Sequence, residues 1–146
     1  MIKFNLGRSC FVALISLYSL AVSAHGPVTP QAIDSSTLPQ LGEEWEETNP
    51  YREQEGKTLK EIIRVGASAY NQNCARCHGL EGISGGIAPD LRFLSTDYEG
   101  DEWFVYRVQN GAVRNGAVYM PKMTEHLSQE ALWSIRTWLE SVSDKK

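Results

Sequence analysis

The stretch Cys74-Ala75-Arg76-Cys77-His78, "CARCH", decides how this chain is read. It holds two of the three cysteines and one of the three histidines within five positions. Two thiols at this spacing have three main uses. A thioredoxin-like redox pair needs a βαβ context, which the flanking sequence lacks. A zinc site needs four ligands, usually in a closed tetrahedron, and only His25 and His126 remain as further imidazoles. The third use is covalent attachment of a c-type haem. Both sulfurs then add to the haem vinyl groups, and His78 is held below the iron as proximal ligand. A disulfide across two residues would close a tiny loop and stabilise little. Haem attachment is the reading carried forward.

Outward from this motif the pattern is helical. "TLKEIIRVGASAYNQNC" predicts a helix with Thr58 as N-cap and Glu61 completing a capping box. Leu59, Ile62, Ile63, Gly66, Ala69, Tyr70 and Asn73 follow at helical spacing. Gly66 costs about 1 kcal/mol against alanine inside a helix, so another element is expected to approach closely there. "LSQEALWSIRTWLESV" predicts a final helix, with Ser128 as N-cap and Leu127 and Leu132 as a hydrophobic staple. Its apolar face is Leu132, Ile135, Trp138, Leu139 and Val142. "DEWFVYRVQNG" predicts a shorter helix capped by Asp101 and stopped by Gly111. The stretch between the first two motifs, "GLEGISGGIAPDLRFLSTDYEG", reads as loop, and no β pattern, repeat or phosphate loop is evident. The expected fold class is all-α.

The ends and the charge bound the rest. Residues 1–24 have a basic start (Lys3, Arg8), an apolar run from Cys10 to Val22 and a small-residue end at Ala24. That is the pattern of a secretory signal peptide; a membrane anchor is the alternative, against which the apolar run is short of the roughly 20 residues a spanning helix needs and is diluted by Ser16, Tyr18 and Ser19. Without a twin arginine, the general secretory route is expected. Cleavage before His25 would leave 12 basic and 18 acidic residues. That balance excludes nucleic acid as a natural partner. Residues 25–57 hold four of the six prolines and the acidic run "GEEWEE". They read as an extended arm, with Leu38, Leu41, Trp45 and Tyr51 as apolar anchors. Residues 58–146 read as the folded domain. A domain this small has a limited core, and a haem would add a large apolar plate to pack on.

"GASAYNQNCARCHGLEG", the later "IAPDL", the Met120-Pro121 step and a final aromatic-bearing helix together resemble the class I c-type cytochromes. The likeness implies a small helical cytochrome c fold around one covalent haem c. In that family a glycine and an aromatic mark the crossing of the first and last helices; Gly66, Tyr70 and Trp138 fit these places. The family's Pro-x-Leu step implies that the Pro89 carbonyl accepts the ring N–H of His78 and that Leu91 packs on the haem. The family's methionine ligand precedes a proline, which implies Met120 as the second axial ligand. Met123 is then a packing residue and His126 a solvent-facing one.

The arm carries a narrower resemblance. "HGPVTPQAID", "LPQLGEEW" and "NPYR" before such a domain are similar to the periplasmic c-550 type cytochromes of quinoprotein ethanol dehydrogenase systems. This likeness implies a soluble, monomeric periplasmic electron carrier with no stable membrane insertion. Its donor would be an alcohol dehydrogenase dependent on pyrroloquinoline quinone (PQQ). Its acceptor would be a terminal oxidase or another cytochrome. Alternatives from other classes are a haem enzyme or gas sensor with a labile sixth site, and a zinc or thiol redox module. Trp103, Phe104, Tyr106, Tyr119 and Trp133 are expected as core or haem-pocket aromatics. Asn115 and Tyr119 are candidates for bonding a haem propionate. Arg76, Arg92, Arg114 and Lys122 are candidates for a basic rim.

Overall fold

The computed structural model describes residues 29–144; the expected signal peptide, Cys10 and His25 lie outside them. Helix α1 spans Gly56–Asn73 and buries Ile62, Val65, Gly66, Ala69 and Tyr70 along one stripe. After a break at Cys74, the short helix α2 spans Ala75–His78. Helix α3 spans Tyr98–Asn110, and helix α4 spans Gln129–Ser141. The last helix lies across the first. A Cβ added at Gly66 would collide with the Ser134 carbonyl and sit 3.0 Å from the Trp138 Cβ. The Tyr70 and Trp138 rings meet beside it, with centroids 4.4 Å apart and planes tilted by 39°. The expected reason for the mid-helix glycine is the observed one.

Two caps differ from expectation. Helix α1 begins two residues before Thr58, after Glu55, and has no side-chain cap. Glu61, expected to close a capping box, instead accepts from Arg64 and from the Thr37 hydroxyl of the arm. Helix α3 is capped by Asp97, whose carboxylate accepts from the Gly100 N–H. Asp101 lies inside that helix and is fully buried. Gly111 ends the helix at φ 66, as the sequence predicts. Ser128 caps α4 through the Ala131 N–H, and both staple residues, Leu127 and Leu132, are buried.

The absence of β structure was the wrong expectation. Strands β1, Ala112–Arg114, and β2, Ala117–Met120, form a small antiparallel hairpin. Its turn is Asn115-Gly116, with φ values of 51 and 77. That pair is the commonest sequence for a two-residue hairpin turn, because both positions need positive φ. The fold remains mostly helical.

The arm is built into the core. Leu38 and Tyr51 are buried, and Ile33, Leu41 and Trp45 pack against the same cluster. The reason lies in α4, every residue of which is buried from Gln129 to Leu139. One side of it faces α1; the arm supplies partners for the polar side. Gln129 donates to the Gly42 and Glu44 carbonyls and accepts from the Glu46 N–H. Glu130 accepts from the Leu41 N–H. Thr137 donates to the Asn49 side chain. A buried polar group without such a partner would cost about 1–3 kcal/mol.

Charges are joined in the same way. The Asp101 carboxylate accepts from Arg136 Nε at 2.7 Å, from Arg52 Nη2 at 2.8 and 2.9 Å, and from the Asn49 N–H at 3.0 Å. Arg52 also reaches Glu140 at 2.7 Å. Arm, α3 and α4 are thus fastened at one carboxylate. Neutralising it strips the buried Arg136 guanidinium of its nearest carboxylate and leaves it only the more distant Glu140, at 3.4 Å. Asp101→Asn is expected to lower stability by about 3–5 kcal/mol, measured by denaturant unfolding of the haem-loaded protein followed by far-UV circular dichroism.

Candidate haem site

The "CARCH" stretch folds locally because α1 breaks one residue too soon to continue. The Cys74 N–H still bonds the Tyr70 carbonyl, and the Cys77 and His78 N–H groups both bond the Cys74 carbonyl. This single turn sets Cys74, Cys77 and His78 on the wall of one cavity. Gly79 then reverses the chain at φ 81, where a Cβ would collide with the Ile83 carbonyl. The Tyr70 hydroxyl donates to the Gly79 carbonyl at 2.8 Å and ties the reversal back to α1.

The His78 ring is oriented by a second contact. Its Nδ1 lies 2.9 Å from the Pro89 carbonyl oxygen. A carbonyl only accepts, so Nδ1 carries the hydrogen and Nε2 of the neutral ring keeps its lone pair. Nε2 is therefore the nitrogen able to ligate a metal. Leu91 lines the cavity two residues beyond Pro89.

The cavity has a volume of about 430 Å³. Phe104, Val108, Leu132, Ile135 and Leu139 give it an apolar wall, and Met120, at the end of β2, lines it too. Its donor set comprises two thiols, an imidazole and two thioethers, Met120 and Met123, among hydrocarbon. That fits a flat apolar macrocycle with a central iron better than a hydrated ion. Three guanidiniums, Arg76, Arg107 and Arg114, also line it, and they complement the two carboxylates that a haem carries. Arg107 is half-buried, whereas the other two are exposed.

The competing uses of the cysteines fit less well. Among the described residues, no three His, Cys, Asp or Glu side chains gather to hold a metal ion. Burial pushes the Cys74 thiol up to about 12, with the neighbouring Cys77 adding to the shift. A disulfide-exchange cysteine needs the opposite shift, because the thiolate is the reactive form. The two cysteines are not joined in a disulfide.

Other candidates are sorted by position. Met123 also touches the cavity, but it is a core residue, 4% exposed. His126 is exposed, just before α4. Asn115 sits in the exposed hairpin turn and does not line the cavity; Tyr119 lines it from a largely exposed position. Phe104 and Trp133 are buried aromatics, as expected. Tyr106, expected in the core or pocket, is instead 56% exposed beneath the Arg107 guanidinium. Arg92, expected at a basic rim, is paired with Asp90 at 2.8 Å.

Two of the wall residues missed from the sequence bear on the site. Pro30 of the arm is buried against the cavity. Asn73 holds it there, accepting from the Gln31 N–H at 2.6 Å and donating to the Gln31 carbonyl at 3.2 Å. Arg107 was the other; only its place one turn before Gly111 hints at a role.

With the geometry in place, the relatives can be compared. The family described as "Cytochrome C oxidase, cbb3-type, subunit III" matches residues 61–139. A cytochrome c550 of Pseudomonas aeruginosa is 63% identical over 143 residues, 97% of each chain. The chain belongs to the class I c-type cytochromes, of the c-550 type. As a monohaem cytochrome it carries covalent haem c and transfers electrons; it is not an enzyme. The cytochrome is also 34% identical over 77 residues to the quinohemoprotein alcohol dehydrogenase ADH-IIG of Pseudomonas putida, 53% of this chain but 10% of that one. A second such dehydrogenase, ADH IIB of the same species, is 35% identical over 81 residues, 56% of this chain and 11% of that one. No solved structure gives a significant match to the cytochrome. Among its described residues no helix is long and apolar enough to cross a membrane.

The loop that presents Pro89 has its own pH limit. Arg92, held against Asp90, keeps that carboxyl down to about 2, below its ordinary 3.8. Stability from a lowered carboxyl is present above its unfolded value and lost as pH falls through the folded one. The difference in unfolding midpoint between wild type and Asp90→Asn is therefore expected to be constant above about pH 5 and to vanish towards pH 2. Parallel denaturant titrations across that range measure it.

Proposed function

We propose that this cytochrome carries electrons in the periplasm from a PQQ-dependent alcohol dehydrogenase to a terminal oxidase or another cytochrome. The observation that carries the site reading is the shared cavity of Cys74, Cys77, His78 and Met120, with the His78 ring locked by the Pro89 carbonyl. The haem iron supplies the chemistry, a one-electron Fe(III)/Fe(II) couple. Cys74 and Cys77 hold the macrocycle through thioethers. His78 ligates through Nε2, and its bond to Pro89 raises its basicity. Met120 would supply the iron with a thioether ligand. A thioether is a soft ligand that favours ferrous iron and raises the potential. With His78 and Met120 both serving as ligands, the iron would offer oxygen and peroxide no open site. This favours electron transfer over a haem enzyme or gas sensor.

Leu91 and the α4 residues Leu132, Ile135 and Leu139 line the cavity and would screen a bound haem from water. Arg107, half-buried among the aromatic rings of Trp103 and Tyr106, is placed to balance a haem carboxylate. Export by the general secretory route, with loss of residues 1–24, completes the proposal, since c-type haem is attached outside the cytoplasm. Support for the donor comes from the arm's resemblance and from the similarity to the haem-bearing alcohol dehydrogenases.

Three measurements test this reading. A pyridine haemochrome assay on the purified protein should give one covalent haem c per chain; none would end the proposal. Met120→Ala should abolish the thioether-to-iron absorption band and lower the potential. Met123→Ala should keep the band while costing about 2–5 kcal/mol of stability. The reverse pattern would reassign the ligand. Purified quinoprotein alcohol dehydrogenase with its alcohol should reduce the cytochrome faster than free quinol does, in a salt-dependent way. No acceleration at any ionic strength would remove the donor assignment.

A further inference from the structure

We propose that Asp90 and Arg92 form a positioning pair for His78, acting through the Pro89 carbonyl; this rests on the reading of His78 as an iron ligand. The Pro89 carbonyl has one task, to orient an imidazole, and a useful acceptor must stay still. Its own side chain does not hold it, because Pro89 is exposed and sits in an irregular loop. The hydrogen bonds on either side of it do.

After Pro89, the Asp90 carboxylate accepts four bonds. These come from the Ser84 N–H at 3.2 Å, the Arg92 N–H and Nε at 3.1 Å each, and Arg92 Nη2 at 2.8 Å. Before Pro89, the Ser84 hydroxyl donates to the Ala88 carbonyl at 2.5 Å. Both flanks of the proline are therefore fixed to Ser84, and the following flank to Arg92 as well. The pair is well covered, with 24% of Arg92 and 17% of Asp90 exposed. Arg92 in turn is anchored to the chain just past α4: its carbonyl accepts from the Ser143 hydroxyl and the Asp144 N–H, each at 3.1 Å. A continuous bonded path thus runs from the segment that follows the last helix through Arg92 and Asp90 to Pro89 and His78.

The consequence is a redox effect with a sign. A firm Nδ1–H bond makes the imidazole a stronger donor, which favours Fe(III). Loosening the loop weakens that bond and raises the potential. Simple charge effects predict a different pattern. Asp90→Asn removes a negative charge and raises the potential on either account. Arg92→Gln removes a positive charge and should lower it on charge alone, but raise it if positioning dominates. Arg92→Lys keeps the charge and loses the planar fork that spans both carboxylate oxygens. Charge alone would leave that variant unchanged.

The test uses the haem-loaded protein, with potentials from spectroelectrochemistry and NMR of the oxidised form. All three variants are expected to show a raised potential and His78 Nδ1–H solvent exchange accelerated about tenfold, as when a charge-assisted bond is lost. A lowered potential in Arg92→Gln with Arg92→Lys at the wild-type value would overturn the inference. So would wild-type exchange rates in all three. If Arg92→Gln fails to fold, the exchange rate and potential of Arg92→Lys decide alone. The wild-type spectrum separates the two levels of the argument. His78 ring protons shifted strongly by the iron uphold the ligand reading, whatever the variants do. Ring protons at ordinary positions would remove that reading and this inference with it.

Discussion

The close crossing of α1 and α4 at Gly66 is the constraint on which the rest depends. Only a residue without a side chain lets the Ser134 backbone come so near. That approach brings Tyr70 against Trp138. Tyr70 then reaches forward to the Gly79 carbonyl and fixes where the chain turns back after His78. The wall formed by Leu132, Ile135 and Leu139 belongs to the same α4 that crosses α1. A contact far from any cofactor chemistry therefore sets the distance between the two halves of the pocket. Overpacking at such a point typically costs about 1–3 kcal/mol, and here it would also shift the cavity wall.

A second dependence runs through the arm. An amphipathic helix normally turns its polar side to water. In α4 that side carries Gln129, Glu130, Arg136 and Thr137, and all four are buried. Each finds a partner in the arm or in α3. The acidic, proline-containing segment is thus a set of fitted acceptors and donors. Its Pro30 lies on the cavity itself. Core, strap and pocket form one structure, and the haem site is bounded by residues from both ends of the described chain.

Much of this was legible in the sequence because the strongest signals are local. The Cys-x-x-Cys-His spacing, the helical period around Gly66 and the Ser128 cap each depend on a few neighbouring residues. The Thr58 capping box failed because the helix starts earlier, and the arm's Thr37 claims Glu61. Asp101 resembles a cap in sequence, but its partners Arg52 and Arg136 are distant in the chain, and no local pattern marks them. The hairpin was legible and passed over: Asn115-Gly116 between Val113 and Val118 is a hairpin signature. Its strands are only three and four residues long, too short to show an alternating pattern. Pro30 and Arg107 needed the third dimension, since their roles come from where the chain returns.

The burial of α4 on every side also sets an order of events. This helix follows, in the chain, every element it covers. Until it has emerged, α1 lacks the partner at its glycine, and the arm lacks the groups its backbone bonds. The motif bearing Cys74 and Cys77 comes earlier. During that interval the thiols stand before an unfinished wall. Once α4 docks, they stand half-buried on the wall of the completed cavity. The helix order thus makes the pocket the last part of the fold that the chain can complete.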